Sequence, residues 1–212
     1  MPELPEVETT KRGVERLLKN KTVESTIVHQ YKFRQPIARN IGNILKNQTL
    51  RTVSRRAKYL LFNFSEGTLI IHLGMSGSLR VVSPDIPKAK HDHVEIAFND
   101  NLCLRFRDPR RFGLVIWTKQ DPLKHKLLKN CGPEPLTQQF SAIYLKRVAE
   151  NRTCAIKQFI MLNNVVVGVG NIYASESLFL SGINPGKKAS IITFEQCIEL
   201  VRNIKFILNI II

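Results

Sequence analysis

Lys58-Tyr59-Leu60-Leu61-Phe62-Asn63-Phe64 and Thr68-Leu69-Ile70-Ile71-His72-Leu73 are two short apolar runs separated by Ser65-Glu66-Gly67. Runs too short for a globular helix and bounded by turn residues predict strands. Further runs at 79–82, 93–98, 102–106 and 114–117 repeat the pattern, so residues 22–117 predict an antiparallel β-sandwich or barrel. Toward the N-terminus, Val7, Val14, Leu17 and Leu18 recur at helical spacing, with Pro5 able to serve as the first helical residue and Glu6 and Glu8 in the positive first turn. An N-terminal helix is expected. Toward the C-terminus, Cys131-Gly132-Pro133-Glu134-Pro135-Leu136 disfavours helix and strand alike and places a domain boundary after residue 132. Beyond it, apolar periodicity predicts helices over 140–150, 155–162, 172–181 and 193 to about 208, the last opened by a capping box of Thr193 and Gln196. The expected class is α+β: an N-terminal helix and antiparallel β-sandwich over 1–132, then an all-α domain over 133–212.

The chain has 212 residues, 43% of them hydrophobic, enough for a core without disulfide or metal staples. Its 32 Lys and Arg against 17 Asp and Glu give a net charge of +15, a field that attracts polyanions. Nucleic acid is the first candidate partner. Acidic lipid or mere solubility are the alternatives, and only motifs can separate them. The first ten residues hold no basic segment followed by an apolar run, so neither a secretory signal nor a membrane anchor is expected and the chain is placed in the cytoplasm. Cys103, Cys131, Cys154 and Cys197 lie more than twenty residues apart, which excludes the close pairs of a zinc ribbon or finger. Reduced, partly buried thiols are expected.

Pro2-Glu3-Leu4-Pro5-Glu6 is an ordinary acidic helix start and also a candidate reactive terminus. Once Met1 is removed, Pro2 exposes a secondary amine, a type of group whose unperturbed pKa of about 8 leaves a useful neutral fraction. Such an amine attacks a sugar carbon and yields an iminium cation, which makes an adjacent phosphate easy to eliminate. Glu3 beside it can protonate or support the sugar, and Glu6, three residues on, is expected on the same helix face. Ser54-Arg55-Arg56-Ala57-Lys58 reads as a basic loop entering a strand: either a solvated edge, or a loop that turns Lys58 inward to move a proton.

His72-Leu73-Gly74-Met75-Ser76-Gly77-Ser78 and Asp108-Pro109-Arg110-Arg111-Phe112-Gly113 are two tight turns carrying Met, Phe and Arg. They fit plain glycine hairpins. They equally fit a protein that extrudes a base, since apolar side chains fill the vacated stack and an arginine holds the orphaned partner. Lys90-His91-Asp92-His93 invites a metal, but further nearby ligands are missing, and His91 reads better as a phosphate contact. The run 163–176, NNVVVGVGNIYASE, sets Gly168, Gly170 and Asn171 at a helix mouth, where free N–H groups attract phosphate or where packed helices turn tightly. It is neither a Walker loop nor, without a βαβ unit, a dinucleotide fingerprint.

Taken together, PELPEVET, RRAKYLLF, HLGMSGSLR, KHDHVE, DPRRFG and the 163–185 stretch resemble the formamidopyrimidine-DNA glycosylase family in order and spacing, from Pro2 to about Lys205. The wording Leu4-Pro5-Glu6-Val7-Glu8 fits this family better than its endonuclease VIII cousins. The resemblance implies a β-sandwich joined to a helix-two-turn-helix domain. It implies a base excision DNA repair enzyme, both glycosylase and abasic-site lyase, that removes oxidised purines such as 8-oxoguanine and formamidopyrimidines from double-stranded DNA. Pro2 is then the Schiff-base nucleophile, Glu3 a proton donor, and Lys58 the proton donor for β-elimination. His91, Arg110 and Asn171 contact DNA; Met75, Arg110 and Phe112 fill the hole of the flipped base; and His72, Lys157 and, by a looser match, Arg152 contact phosphates. A monomer associated with the nucleoid is expected.

After Lys205 the family continues through a loop that covers the damaged base and a four-cysteine zinc finger, whereas this sequence runs Phe206-Ile207-Leu208-Asn209-Ile210-Ile211-Ile212. The expectation is a truncated member without the finger or its zinc, whose tail resembles an out-of-frame readthrough. Such a chain acts as a weakened enzyme, better as an abasic-site lyase than as a base-excising glycosylase. The alternative is a catalytically silent DNA-binding remnant.

Overall fold

The computed structural model describes residues 2–211. Met1 and Ile212 lie outside them, and with them the expectation that Met1 is removed and the last residue of the apolar tail. The chain divides into two compact units, one of Pro2 with Glu6–His125 and one of Glu3–Pro5 with the described residues from Lys126 onward.

In the first unit, helix α1 (Leu4–Leu18, its first two residues belonging to the second unit) is followed by β1 (Val23–Val28), a one-turn helix α2 (Ile41–Leu45), and seven strands. These are β2 (Leu50–Arg56), β3 (Tyr59–Phe64), β4 (Thr68–His72), β5 (Ser78–Val82), β6 (Asp92–Phe98), β7 (Leu102–Arg107) and β8 (Leu114–Thr118). They form two antiparallel four-stranded sheets, ordered β1-β6-β7-β5 and β2-β3-β4-β8. Alternation decides the faces: Leu60, Phe62 and Phe64 of β3 and Val94, Ile96 and Phe98 of β6 join one core, to which Val7, Val14 and Leu18 of α1 add a helical stripe. The sandwich expected from the sequence is thus the observed architecture.

Two strands escaped the pattern. β1 carries Glu24, Ser25 and Thr26 and β2 carries Arg51, Thr52 and Ser54 to Arg56; both are edge strands, β1 with one buried residue in six and β2 with two in seven, so polar residues mask their period. The basic loop read at 54–58 is corrected accordingly. Ser54, Arg55 and Arg56 pair with Leu61, Leu60 and Tyr59, and only Ala57 and Lys58 form the turn. Ala57 takes φ +54°, a left-handed conformation that costs a non-glycine residue about 1 kcal/mol.

In the second unit, α3 (Ala142–Ala149), α4 (Ile156–Ile160), α5 (Asn171–Leu180) and α6 (Phe194–Ile211) surround a core that includes Phe140, Phe159, Val166, Leu200 and Leu4 of the N-terminal segment. Ser141 caps α3 by accepting the Tyr144 N–H. The capping box is present: the Gln196 N–H donates to Thr193 Oγ1 and the Thr193 N–H to Gln196 Oε1, each at 3.2 Å. Among the described residues no helix is long and apolar enough to cross a membrane.

Candidate functional site

Register gathers the predicted residues of the first unit. Tyr59 pairs with His72 and His72 with Leu114, while Ser78 pairs with Arg107 and Arg107 with Asp92. The Ala57-Lys58 turn, the 73–77 turn, the loop ending at His91 and the 108–113 loop therefore emerge at the same end of their sheets. Gly74, at φ +65°, lets two of these turns touch: a Cβ there would lie 2.6 Å from the Gly113 nitrogen and the Phe112 carbonyl carbon.

One buried carboxylate fixes both turns. Asp108 accepts the Ser76 hydroxyl at 2.7 Å through Oδ1 and the Gly113 N–H at 2.8 Å through Oδ2, and Ser76 Oγ in turn accepts the Arg110 N–H at 3.2 Å. With the backbone held from beneath, Met75 and Phe112 stand out 43% and 45% exposed. The Arg110 guanidinium carbon lies 4.7 Å from the Phe112 ring centre, a cation–π contact that keeps cation and ring together at the tip. These side chains, with His72, line a cavity of about 550 Å³ whose other wall is Lys32, Phe33 and Arg34. Sequence reasoning missed Asp108, Ser76, Lys32 and Arg34; an Asp-Pro turn start was the available signal for Asp108.

His72 sits in this wall as a neutral ring. Burial, then the charges of Lys58 and Arg34, pull its pKa down to about 4. Nδ1 accepts the Gly74 N–H at 3.0 Å, so the proton of the neutral ring is on Nε2. Lys58 is half-buried and precedes β3 instead of opening it. His91 takes φ +72°, its carbonyl accepts the Asp108 N–H, and its ring meets His93 edge-on at 5.9 Å. Among the described residues no group of three or more His, Cys, Asp or Glu side chains is placed to hold a metal ion. The cysteines are free, and burial pushes the Cys103 and Cys197 thiols up.

In the second unit the glycines of the 163–176 run explain themselves. Gly168, at φ +80°, would place a Cβ 2.1 Å from Leu4 Cδ1, and Gly170 one 2.2 Å from Glu3 Cδ. Their bare backbones make room for Glu3 and Leu4. The Glu3 carboxylate, 4% exposed, accepts the Ile172 N–H at 3.2 Å at the start of α5. The reading of this helix mouth as an open phosphate cradle is corrected there, because a carboxylate of the chain occupies it. Asn171, the first residue of α5, is exposed beside it. The shared helix face of Glu3 and Glu6 is also corrected: α1 begins at Leu4, Glu3 is buried and Glu6 is exposed.

Lys157 on α4 is half-buried; its N–H donates to the Pro185 carbonyl at 3.2 Å, and with Phe179 and Asn184 it lines a second cavity of about 580 Å³. Arg152, exposed before α4, accepts the Ser190 N–H through its carbonyl. The structure thus brings His72, Met75, Arg110 and Phe112 to one cavity, Glu3 and Asn171 to one helix end, and Lys157 to the second cavity.

These features define the class: a β-sandwich unit with cationic, apolar-tipped turns, in one chain with a helix-two-turn-helix unit. The model of the formamidopyrimidine-DNA glycosylase N-terminal domain matches residues 1–115 and that of the same family's H2TH domain matches 131–212. The chain belongs to the formamidopyrimidine-DNA glycosylase family. It is 52% identical over 209 residues to the formamidopyrimidine-DNA glycosylase of Thioalkalivibrio sulfidiphilus, and 50% identical over 210 residues to that of Pseudomonas aeruginosa. Each match covers 99% of this chain and 77% of the relative. Among solved structures, the Lactococcus lactis enzyme bound non-covalently to DNA containing an abasic site is similar with a TM-score of 0.91 and 32% identity, over 99% of this chain and 81% of that one. A MutM complex with DNA containing carbocyclic 8-oxo-G gives 0.90 and 32%, over 98% and 78%.

Proposed function

We propose that this chain is a base excision repair enzyme that removes oxidised purines from double-stranded DNA and then cleaves the abasic site. The observation that carries the reading is the buried Glu3 carboxylate, fixed at the start of α5 by a glycine-lined turn and covalently next to Pro2. The Pro2 nitrogen, freed of Met1, attacks C1′ of the damaged nucleotide, the bond from C1′ to the base breaks, and the base leaves with a proton. Glu3 protonates the sugar as its ring opens, giving an iminium between Pro2 and C1′. Loss of a C2′ proton then expels the 3′ phosphate, with Lys58 donating a proton in this β-elimination. Met75, Arg110 and Phe112 enter the stack that the flipped base vacates, and His72, His91, Lys157, Arg152 and Asn171 contact the strand. His72, being neutral, does so as an Nε2–H donor and adds no charge. The net charge of +15 supplies the sequence-independent part of binding. None of these roles is assigned to a metal ion, and a cytoplasmic enzyme working on DNA is the reading that the family supports.

Borohydride reduction in the presence of abasic-site DNA tests the reading. It should freeze a crosslink between Pro2 and the sugar, identified by mass spectrometry of the N-terminal peptide. A chain whose terminal amine is blocked should give none; equal crosslinking by the blocked chain would overturn the role of Pro2.

A further inference from the structure

Alternation along β7 puts Leu104 and Phe106 in the core and Arg105 on the opposite face of its sheet, where a sandwich strand meets solvent. Yet Arg105 is 3% exposed. Its cover is the loop from Ser83 to His91, whose residues 84–88 are themselves exposed. The guanidinium spends its donors on that loop: Nη2 donates to the Ile86 carbonyl at 2.6 Å and the Pro84 carbonyl at 3.4 Å, and Nη1 to the Pro87 carbonyl at 3.2 Å. Nε donates at 2.7 Å to Glu95, its partner in register on β6, and Glu95 also bonds His29 at 2.5 Å. A desolvated charge is costly unless its donors are satisfied, so this arrangement is stable only while the loop keeps its carbonyls aimed inward.

The far end of the same loop is pinned by Asp92, which is 1% exposed, accepts the Ala89 N–H at 2.9 Å, and returns its own N–H to the Ala89 carbonyl at 3.2 Å. Between these two anchors the chain has no regular hydrogen-bonded partner strand, and it ends on His91 in the left-handed region at φ +72°. We infer that Arg105 is a positioning residue for DNA binding: by capping the carbonyls of Pro84, Ile86 and Pro87 from beneath, it holds the loop that presents His91 to the phosphate backbone. Arg105 touches no DNA itself and acts through the loop. The inference rests on the proposed reading of His91 as a DNA contact.

A double-mutant cycle separates the two ideas. The affinity of the full chain for a duplex carrying a reduced abasic site is measured at fixed low salt for the parent, Arg105→Gln, His91→Ala and the double variant. Arg105→Gln should weaken binding about fivefold to tenfold in the parent and less than about twofold once His91 is alanine, because coupled residues are not additive. Hydrogen exchange at the amides of Ala89 and Asp92 should quicken by about tenfold in Arg105→Gln, reporting the released loop. The same loss in both backgrounds would show that Arg105 acts only on general stability and would overturn the inference. If His91→Ala alone binds like the parent, the reading of His91 fails and takes the inference with it, a result told apart by that single variant. Should Arg105→Gln melt below the assay temperature, Arg105→Lys, which keeps a charge beside Glu95, closes the same cycle with the same expected pattern.

Discussion

Asp108 and Glu3 are both carboxylates withdrawn from water beside glycines, and they are withdrawn for opposite ends. Asp108 is enclosed by its own loops: Ser76, Gly113 and the Arg110 amide complete a closed set of bonds whose product is the outward aim of Met75, Arg110 and Phe112. Glu3 instead is seated against a helix mouth emptied of side chains at Gly168 and Gly170, so that the carboxylate itself is what the surroundings position. A buried acid whose neighbours converge on it as donors within one loop cluster is a fastener. An acid for which neighbouring residues have given up their Cβ atoms is, on the proposed reading, a working group.

The contrast is broken most directly by removing the working group. Glu3→Gln should lower single-turnover release of 8-oxoguanine by about 10²- to 10⁴-fold, the usual worth of a positioned acid, with little change in melting temperature. Gly170→Ala should act in the same direction with Glu3 intact, because its Cβ would lie 2.2 Å from Glu3 Cδ. If Gly170→Ala excises like the parent, the seat is not what matters. For the fastener the expectation reverses. Asp108→Ala strands a hydroxyl and an N–H and should cost about 3 kcal/mol of unfolding free energy, read by denaturant titration, together with DNA affinity. An Asp108→Ala chain that is as stable as the parent but inactive would move Asp108 into Glu3's category.

A smaller effect belongs to His72. Its folded pKa of about 4 lies below the unfolded value near 6.5, so the unfolded chain takes up the proton first. Above about pH 6.5 the ring is neutral in both states and costs nothing; as pH falls toward 4 the folded state loses roughly 2 kcal/mol relative to His72→Gln. Parallel unfolding titrations at pH 7.5 and 4.5 should show the gap closing in the variant, and parallel pH slopes would refute it. The smallest expected effect is that of a chelator, which should leave the melting temperature unchanged, given that no metal-binding group gathers among the described residues. A fall of several degrees on adding the chelator would contradict this.

What the sequence made legible were features whose partners are close by. The period of β3 and β6, the Thr193 and Gln196 capping box and the exposed Met75 and Phe112 turns all depend on neighbours within a few positions. The edge strands β1 and β2 were hidden by their polar faces. The burial of Glu3 was invisible for a different reason: the amide it accepts from is 169 positions away, and no local pattern encodes such a pairing. The burial of Arg105 was hidden for a third reason, since alternation says which face a side chain takes and nothing of what later folds over that face.

That long separation has a consequence for biosynthesis. Glu3–Pro5 precede Lys126 by the whole of the sandwich, yet they pack with the unit that begins there, and Glu3 reaches its seat only after Ile172 has been translated. At about 5–20 residues per second, the nascent chain carries its acid unseated for on the order of ten seconds or more. The sandwich strands, whose partners are mostly nearer in sequence, can pair during that interval. A chain arrested before Ile172 would therefore display the turns of Met75 and Phe112 while Glu3 was still without its seat.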